Sequence, residues 1–406
     1  MAKLVIINQP LFNRGDQAAF RALVRLLKTV GELEIEVLFC TRPEGAAVFM
    51  DGMEGVGYRV FPRLDRKKRF YKRLLWLPAF LQRAFRRFPE AAAYAQYIRK
   101  ADFVLCAPGG IDIGGYQNWK DLWQLYNALA MKKWTGIWGR SIGPFGGSRL
   151  SDKRFKRLAV EMLRQVRFLS LRDKQSRDIA EGLGIPYVPT IDTAFAYRPE
   201  CEIPEELSAV TGGRYAAFVP NQLYAWHKNF RRFGPEPFAA LYKAVIRNIV
   251  TRGYRVVMIP QLFGRAKVDR PYFESLAEEY GRDKAVVLAD TYDSDVQQAV
   301  IRNASFVAGA RCHSVIFAIN NHVPFLCLSY EHKMDGMLEL LGLSEYSLPL
   351  SELLEADADF GRVVKLLETV IEQREFIVPR IQEAQLNARR IVQTAFDKFS
   401  ATMAKE

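Results

Sequence analysis

Val307-Ala308-Gly309-Ala310-Arg311-Cys312-His313-Ser314-Val315-Ile316-Phe317 passes from a short apolar run through a tight turn into a second apolar run. Strand, turn and helix in that order form the repeating unit of parallel α/β sheets, and here the order sets Arg311 and His313 at a helix N-terminus. Free amides and the helix dipole favour an anion there, and a guanidinium adds a fork matched to carboxylate or phosphate. Arg311 is therefore the candidate grip on an anion. His313 is the candidate proton carrier, since an imidazole titrates near neutral pH. His227, His322 and His332 read as ordinary surface histidines.

The same alternation runs outward in both directions. Strands are expected at Leu4–Asn8, Ile35–Phe39, Phe103–Cys106, Thr135–Trp138, Phe168–Leu171 and Tyr187–Pro189, with helices between them. The proline- and acid-rich stretch 198–213 reads as a linker, after which the pattern restarts at Tyr215–Val219, Arg255–Ile259, Ala285–Leu288, Phe306–Ala308 and Phe325–Leu328. A chain of 406 residues exceeds the size at which one core stops growing. The fold class expected is α/β, with two Rossmann-like domains facing a cleft in a GT-B-like arrangement. Their bounds are 1–197 and 214–352, followed by a helical tail, 353–406, that could pack back on the N-terminal domain.

In open α/β sheets ligands bind beyond the carboxyl ends of the strands. Four loops at such positions in the first half carry unusual residues. Asn13-Arg14-Gly15-Asp16 follows the first strand, with Asp16 able to cap the next helix. Ala107-Pro108-Gly109-Gly110 opens a stretch that includes Gly114 and Gly115, and glycines let backbone amides approach a ligand. Gly139-Arg140-Ser141 reads as a third loop at the cleft rim. Arg172 closes a further strand, where it can bind an anion or pair with Asp173. In the second half, Lys333 supplies a cation after the strand ending at Leu328.

Apolar residues at 49% and charged residues at 25% fit an ordinary soluble protein. The N-terminus reads as a strand and not a signal peptide, so a cytoplasmic location is expected. Five scattered cysteines argue against a disulfide framework and against a structural zinc site. The acid-rich stretch from Glu355 to Asp359 reads as a solvated helix start, and no metal is expected. Of the net charge of +13, nine units fall between Arg63 and Arg87, with ten Lys or Arg against Asp65 alone. Phe70, Leu74, Leu77, Leu81, Phe85 and Phe88 recur there at helical spacing. The stretch 63–98 thus reads as a basic amphipathic helical insertion kinked at Pro78, suited either to an anionic membrane through residues 63–88 or to docking on its own domain. Nothing around it has the pattern of a nucleic-acid-binding motif, and no nucleic acid is expected as partner.

Taken in order, Asn13-x-Gly15-Asp16, Pro108-Gly109-Gly110, Ser141-Ile142-Gly143-Pro144, Arg172-Asp173-x-x-Ser176, Asp192-Thr193-Ala194-Phe195, Arg311-x-His313 and Tyr330-x-x-Lys333 resemble the polysaccharide pyruvyltransferase family over nearly the whole chain. The resemblance implies transfer of a pyruvyl group from phosphoenolpyruvate to two hydroxyls of one sugar, forming a cyclic ketal. This would serve the synthesis of a cell-surface polysaccharide such as an exopolysaccharide or capsule. Phosphoenolpyruvate would be a co-substrate, with no further cofactor. It implies donor binding by Arg172, Arg311, Lys333, Gly109 and Gly110, and an acceptor side or cleft rim formed by Asn13, Asp16, Arg140, Ser141 and Asp192. His313 would protonate the donor's methylene carbon or deprotonate the sugar. Two positions depart from the family's pattern: Arg140 stands where Gln is usual and Thr193 where Pro is usual. The acceptor could be lipid-linked, which would set the protein at the inner face of the plasma membrane. The alternative on the same architecture is a nucleotide-sugar glycosyltransferase; a non-catalytic membrane-docked scaffold would leave the cations unexplained.

Overall fold

A computed structural model describes residues 1–77, 87–264, 269–355 and 360–405. The chain forms two compact units, one of Met1–Leu11, Ala19–Ala196 and Ile391–Glu406, the other of Phe12–Ala18 and Tyr197–Arg390. The Asn13–Asp16 segment thus belongs with the second unit, although it follows the first strand of the first. Likewise the end of the helix Arg374–Met403 belongs with the first unit.

The first unit holds β1 (Ala2–Ile7), β2 (Leu33–Phe39), β3 (Val56–Val60), β4 (Phe103–Cys106), β5 (Gly109–Gly114), β6 (Trp134–Gly143), β7 (Phe168–Leu171) and β8 (Val188–Pro189). They form one parallel sheet in the order β3-β2-β1-β4-β6-β7-β8, with β5 beside β6. Leu4 to Ile7 are wholly buried, as expected of a strand covered by helices on both faces. Phe396 and Phe399 pack edge-on against Trp138, and Phe399 also against Trp134 and Phe168, which fixes the end of the C-terminal helix on this sheet.

Two features differ from the sequence expectation. Gly109–Gly114 is a strand and not a loop, and β6 continues through Arg140 and Ser141 to Gly143. The glycines serve that pairing: a Cβ at Gly114 would lie 2.1 Å from the Gly143 nitrogen. In the stretch 63–98, helix is described over Lys68–Leu74 and again from Pro89, in the helix Pro89–Lys100; the apolar side of the first faces inward, with Tyr71, Leu74 and Leu75 in the unit's core. The expected kink at Pro78 and the periodic Leu81 and Phe85 lie outside the described residues. No helix among the described residues is long and apolar enough to cross a membrane.

The second unit holds β9 (Tyr215–Val219), β10 (Arg255–Met258), β11 (Ala285–Val287), β12 (Val307–Gly309), β13 (Phe325–Ser329) and β14 (Ser347–Pro349). All pairs are parallel, in the order β11-β10-β9-β12-β13-β14. This is the doubly wound order of a dinucleotide-binding domain, in which the winding reverses between the first and fourth strands. Here that crevice opens between β9 and β12, at the strand whose next residues are Ala310 and Arg311. The stretch expected as a linker carries short turns of helix at Glu205–Leu207 and Ser208–Thr211 and lies within this unit.

Candidate active site

The helix Cys312–Asn320 starts at the carboxyl end of β12 with Arg311 as its N-cap residue. Its body, Ser314 to Asn320, is buried, so packing fixes where its first turn points. Asn221, two residues beyond β9, bridges the crevice by donating from Nδ2 to the Ala310 carbonyl at 3.1 Å. Its own backbone exchanges hydrogen bonds with the Tyr242 hydroxyl, which donates to the Asn221 carbonyl and accepts from its N–H. The Asn221 Oδ1, the Gln261 Nε2 and the Tyr272 hydroxyl are buried without a partner among the described residues.

Arg311 is itself buried and ion-paired through Nη2 to Asp269, which also accepts from the Gln261 and Leu262 amides at 3.0 and 2.9 Å. Asp269 thus holds the guanidinium in one orientation, while the Arg311 Nε finds no partner among the described residues. Burial pushes the Tyr330 phenol up in pKa, against the pull of Lys333 and Arg311, so these three groups share one electrostatic neighbourhood. Lys333 is bound to Glu331 at 2.6 Å.

His313 meets the segment that precedes it by three hundred residues. An added Cβ on Gly15 would lie 2.0 Å from the His313 Nδ1, so the backbone of Gly15 passes directly against the imidazole. The segment is pinned on this unit: Asn13 forms an antiparallel bridge with Leu262, and the Arg14 N–H donates to the Gln261 carbonyl at 2.9 Å. The Arg14 guanidinium, also buried, donates to the Asp290 and Thr291 carbonyls and lies 4.0 Å from the Phe263 ring centre. Gly15→Ala is expected to push the whole His313 side chain back from the turn, since the added Cβ would also lie 2.6 Å from the His313 Cβ. A shift of about 1 Å lowers turnover on the order of 10²-fold, to be read as phosphate release by a variant whose melting temperature is measured alongside.

In the first unit Arg172 donates from Nε to the Ser141 hydroxyl at 3.1 Å and pairs with Asp192. Asp173 caps the helix Lys174–Gly182 by accepting from the Ser176 N–H. Arg172, Ser141 and Asp192 come together as one cluster. A Cβ on Gly109 would meet Pro10 and Arg140, while among the described residues nothing lies within 4 Å of where a Gly110 side chain would start.

The family model for polysaccharide pyruvyl transferases matches residues 13–332. The chain belongs to this family. Over 95% of both chains it is 24% identical to the amylovoran biosynthesis protein AmsJ of Erwinia amylovora. Among solved structures it is similar to MnaA of S. aureus with UDP, at 13% identity and a TM-score of 0.59 over 95% of this chain and 91% of that one. It is also similar to UGT73P12 of Glycyrrhiza uralensis, at 8% identity and a TM-score of 0.60 over 100% of this chain and 96% of that one. At such identities the likeness concerns the fold, which is the GT-B arrangement of two Rossmann-like domains.

Both departures from the pyruvyltransferase pattern have structural explanations. Arg140 has no exposed surface and donates to the Ala107 carbonyl, the Asn8 carbonyl and the Asp121 carboxylate. The expectation that it contacts the acceptor is therefore corrected: it joins β6 to the ends of β1 and β4 and to the helix Trp119–Ala130. The Thr193 hydroxyl accepts from the Trp138 indole N–H at 2.9 Å, a bond a proline could not supply.

His227 is also not the surface group expected. It packs among Trp226, Phe230 and Tyr330, with Glu331 at 3.7 Å. Burial, with Lys333, lowers its pKa against the pull of Glu331, so at neutral pH it is a neutral imidazole beside a carboxylate. Glu331 is held below its ordinary value by Lys333, chiefly, despite its own burial. A histidine with a lowered folded pKa contributes stability that is present above the unfolded value of 6.5 and lost as pH falls below it; a lowered Glu adds a second loss as pH falls below 4.5. Urea midpoints of the second unit's transition are expected to fall in two steps on acidification. His227→Gln should shrink the upper step, with the remainder coming from His322, whose pKa burial also lowers; an unchanged upper step in that variant would contradict the assignment.

Asn221, Gln261, Asp269 and Tyr242 are the site residues that the sequence alone did not single out. A usable signal exists for two of them: Val219-Pro220-Asn221 and Ile259-Pro260-Gln261 repeat one pattern, an amide side chain just past a strand-end proline.

Proposed function

We propose that this pyruvyltransferase takes phosphoenolpyruvate as donor and forms a cyclic ketal on a sugar of a polysaccharide or lipid-linked precursor. The observation that carries the reading is the pairing of a fixed cation, Arg311, with an imidazole, His313, at a helix N-terminus in the second unit's crevice. Phosphoenolpyruvate has a carboxylate and a phosphate, and its chemistry needs anion grips and one proton carrier but no redox group. His313 gives a proton to the methylene carbon, C2 becomes oxocarbenium-like, and a sugar hydroxyl adds there and loses its proton. Phosphate leaves, and the second hydroxyl closes the ring. Net, one donor and one diol give one ketal and one phosphate. Arg311 and Lys333 bind the donor's anionic groups, and the helix dipole adds to their field. Arg172, oriented by Ser141 and Asp192, is proposed to bind an anionic group of donor or acceptor.

Acceptor-dependent release of inorganic phosphate from phosphoenolpyruvate tests the reading. Release of a nucleoside diphosphate from a nucleotide sugar would replace it with glycosyl transfer. For the lipid-linked acceptor, the support is that Trp76 and Phe88 are exposed in the same stretch of sequence as the exposed Arg63, Arg66, Lys67, Arg69 and Arg73. Sedimentation with anionic vesicles should fall when these five charges are neutralised, each being worth about 1 kcal/mol at such a surface.

A further inference from the structure

A cavity of about 580 Å³ in the second unit is lined by Arg198, Arg302, His322 and Arg389, with Gln385 and the exposed Glu200 and Glu202. It lies away from the reaction centre. Arg302 ends the helix Ser294–Arg302 that leads into β12, and His322 follows the helix Cys312–Asn320. Both therefore stand at the amino ends of the parallel strands. His313 stands at the other end of its nine-residue helix, about 13 Å along the axis at 1.5 Å per residue.

The cations in this cavity are not neutralised. Arg302 spends its guanidinium on the Pro199 and Cys201 carbonyls and so shapes the wall. Among the described residues neither Arg198 nor Arg389 is paired with a carboxylate, and the Arg389 Nε is buried without a partner. Burial first and then Arg198 hold the Arg389 guanidinium below its ordinary pKa, and the same two causes lower His322. Like charges converge on one cavity whose acids lie exposed, an arrangement that an anion relieves. The volume far exceeds that of a single phosphate and falls within the range of small-molecule sites, about 300–1,000 Å³.

We infer that this cavity binds a phosphate ester of a small hydroxylated molecule, with the phosphate between Arg198 and Arg389 and ring hydroxyls donating to Glu200 and Glu202. A sugar phosphate and a nucleotide share that chemistry. The site also has a consequence for the chain's course. Arg198 follows the point where the chain enters this unit, at Tyr197, and Arg389 precedes the point where it leaves, at Ile391. An occupant therefore ties both stretches to one ligand. The inference does not depend on the reaction proposed at His313.

Calorimetric titration of the full chain with glucose 1-phosphate, with UDP and with inorganic phosphate tests it. Saturable binding of at least one ester is expected, weakened about tenfold or more in Arg198→Ala/Arg389→Ala, as loss of charge-assisted hydrogen bonds implies, and unchanged in His313→Ala. Arg198→Gln alone, which removes no hydrogen bond within the described residues, should weaken binding in the same direction and guards against misfolding of the double variant. The stronger of the two esters identifies the source. No saturable binding of either ester, or binding lost in His313→Ala and kept in the arginine variants, would overturn the site. Inorganic phosphate binding as tightly as both esters would overturn the assignment of hydroxyls to Glu200 and Glu202.

Discussion

Replacing His313 by Ala is expected to lower acceptor-dependent phosphate release by about 10²–10⁴-fold, the range that a positioned proton carrier supplies, while phosphoenolpyruvate still binds. The split follows from the division of labour at the helix N-terminus. Arg311, held by Asp269, and the dipole of the helix Cys312–Asn320 remain in the variant, so the anion's contacts remain. A loss confined to KM would instead make His313 a binding group. Full activity would remove it from the reaction. Because its imidazole lies against the backbone of Gly15, truncation leaves a space without forcing a rearrangement.

The second large effect is on stability. Arg140→Ala leaves the buried Asp121 without its cation, and breaking a buried ion pair from one side costs about 3–5 kcal/mol. Burial already pushes the Asp121 carboxyl up, with Arg140 pulling the other way. Urea denaturation of the first unit's transition measures the loss. Pairing the change with Asp121→Asn should recover part of it, since the uncompensated charge is then gone. Turnover per folded molecule should change little, because Arg140 has no exposed surface. A large specific loss of turnover without loss of stability would return Arg140 to the acceptor site.

Arg140, Arg172 and Arg311 show where the sequence is readable and where it is not. All three stand near strand ends, and all three read as candidate anion contacts. What separates them is tertiary: Arg140 is enclosed by Asn8, Ala107 and Asp121, Arg172 is clamped by Ser141 and Asp192, and Arg311 by Asp269. Asp269 is 42 residues from Arg311, and no local pattern joins them. The strands follow a similar rule. β1 and β9 are apolar runs buried on both faces and are plain in the sequence. β3 is an edge strand with an exposed middle, so it lacks the apolar run. β14 has three residues and ends in Pro349. β5 was hidden for the opposite reason to β1, because its glycines disfavour a strand until the close approach of Gly143 is known. The strand–turn–helix step at Arg311 was legible because its signal is local, an apolar run broken at one turn.

The most direct test of the account is to incubate the protein with phosphoenolpyruvate and galactose-, mannose- or N-acetylhexosamine-containing acceptors, reading acceptor mass and free phosphate together. The account predicts that one acceptor gains a single pyruvyl ketal with one equivalent of phosphate released, and that His313→Ala suppresses both. Transfer of a glycosyl unit from a nucleotide sugar, with phosphoenolpyruvate left intact in the presence of every acceptor, would contradict it.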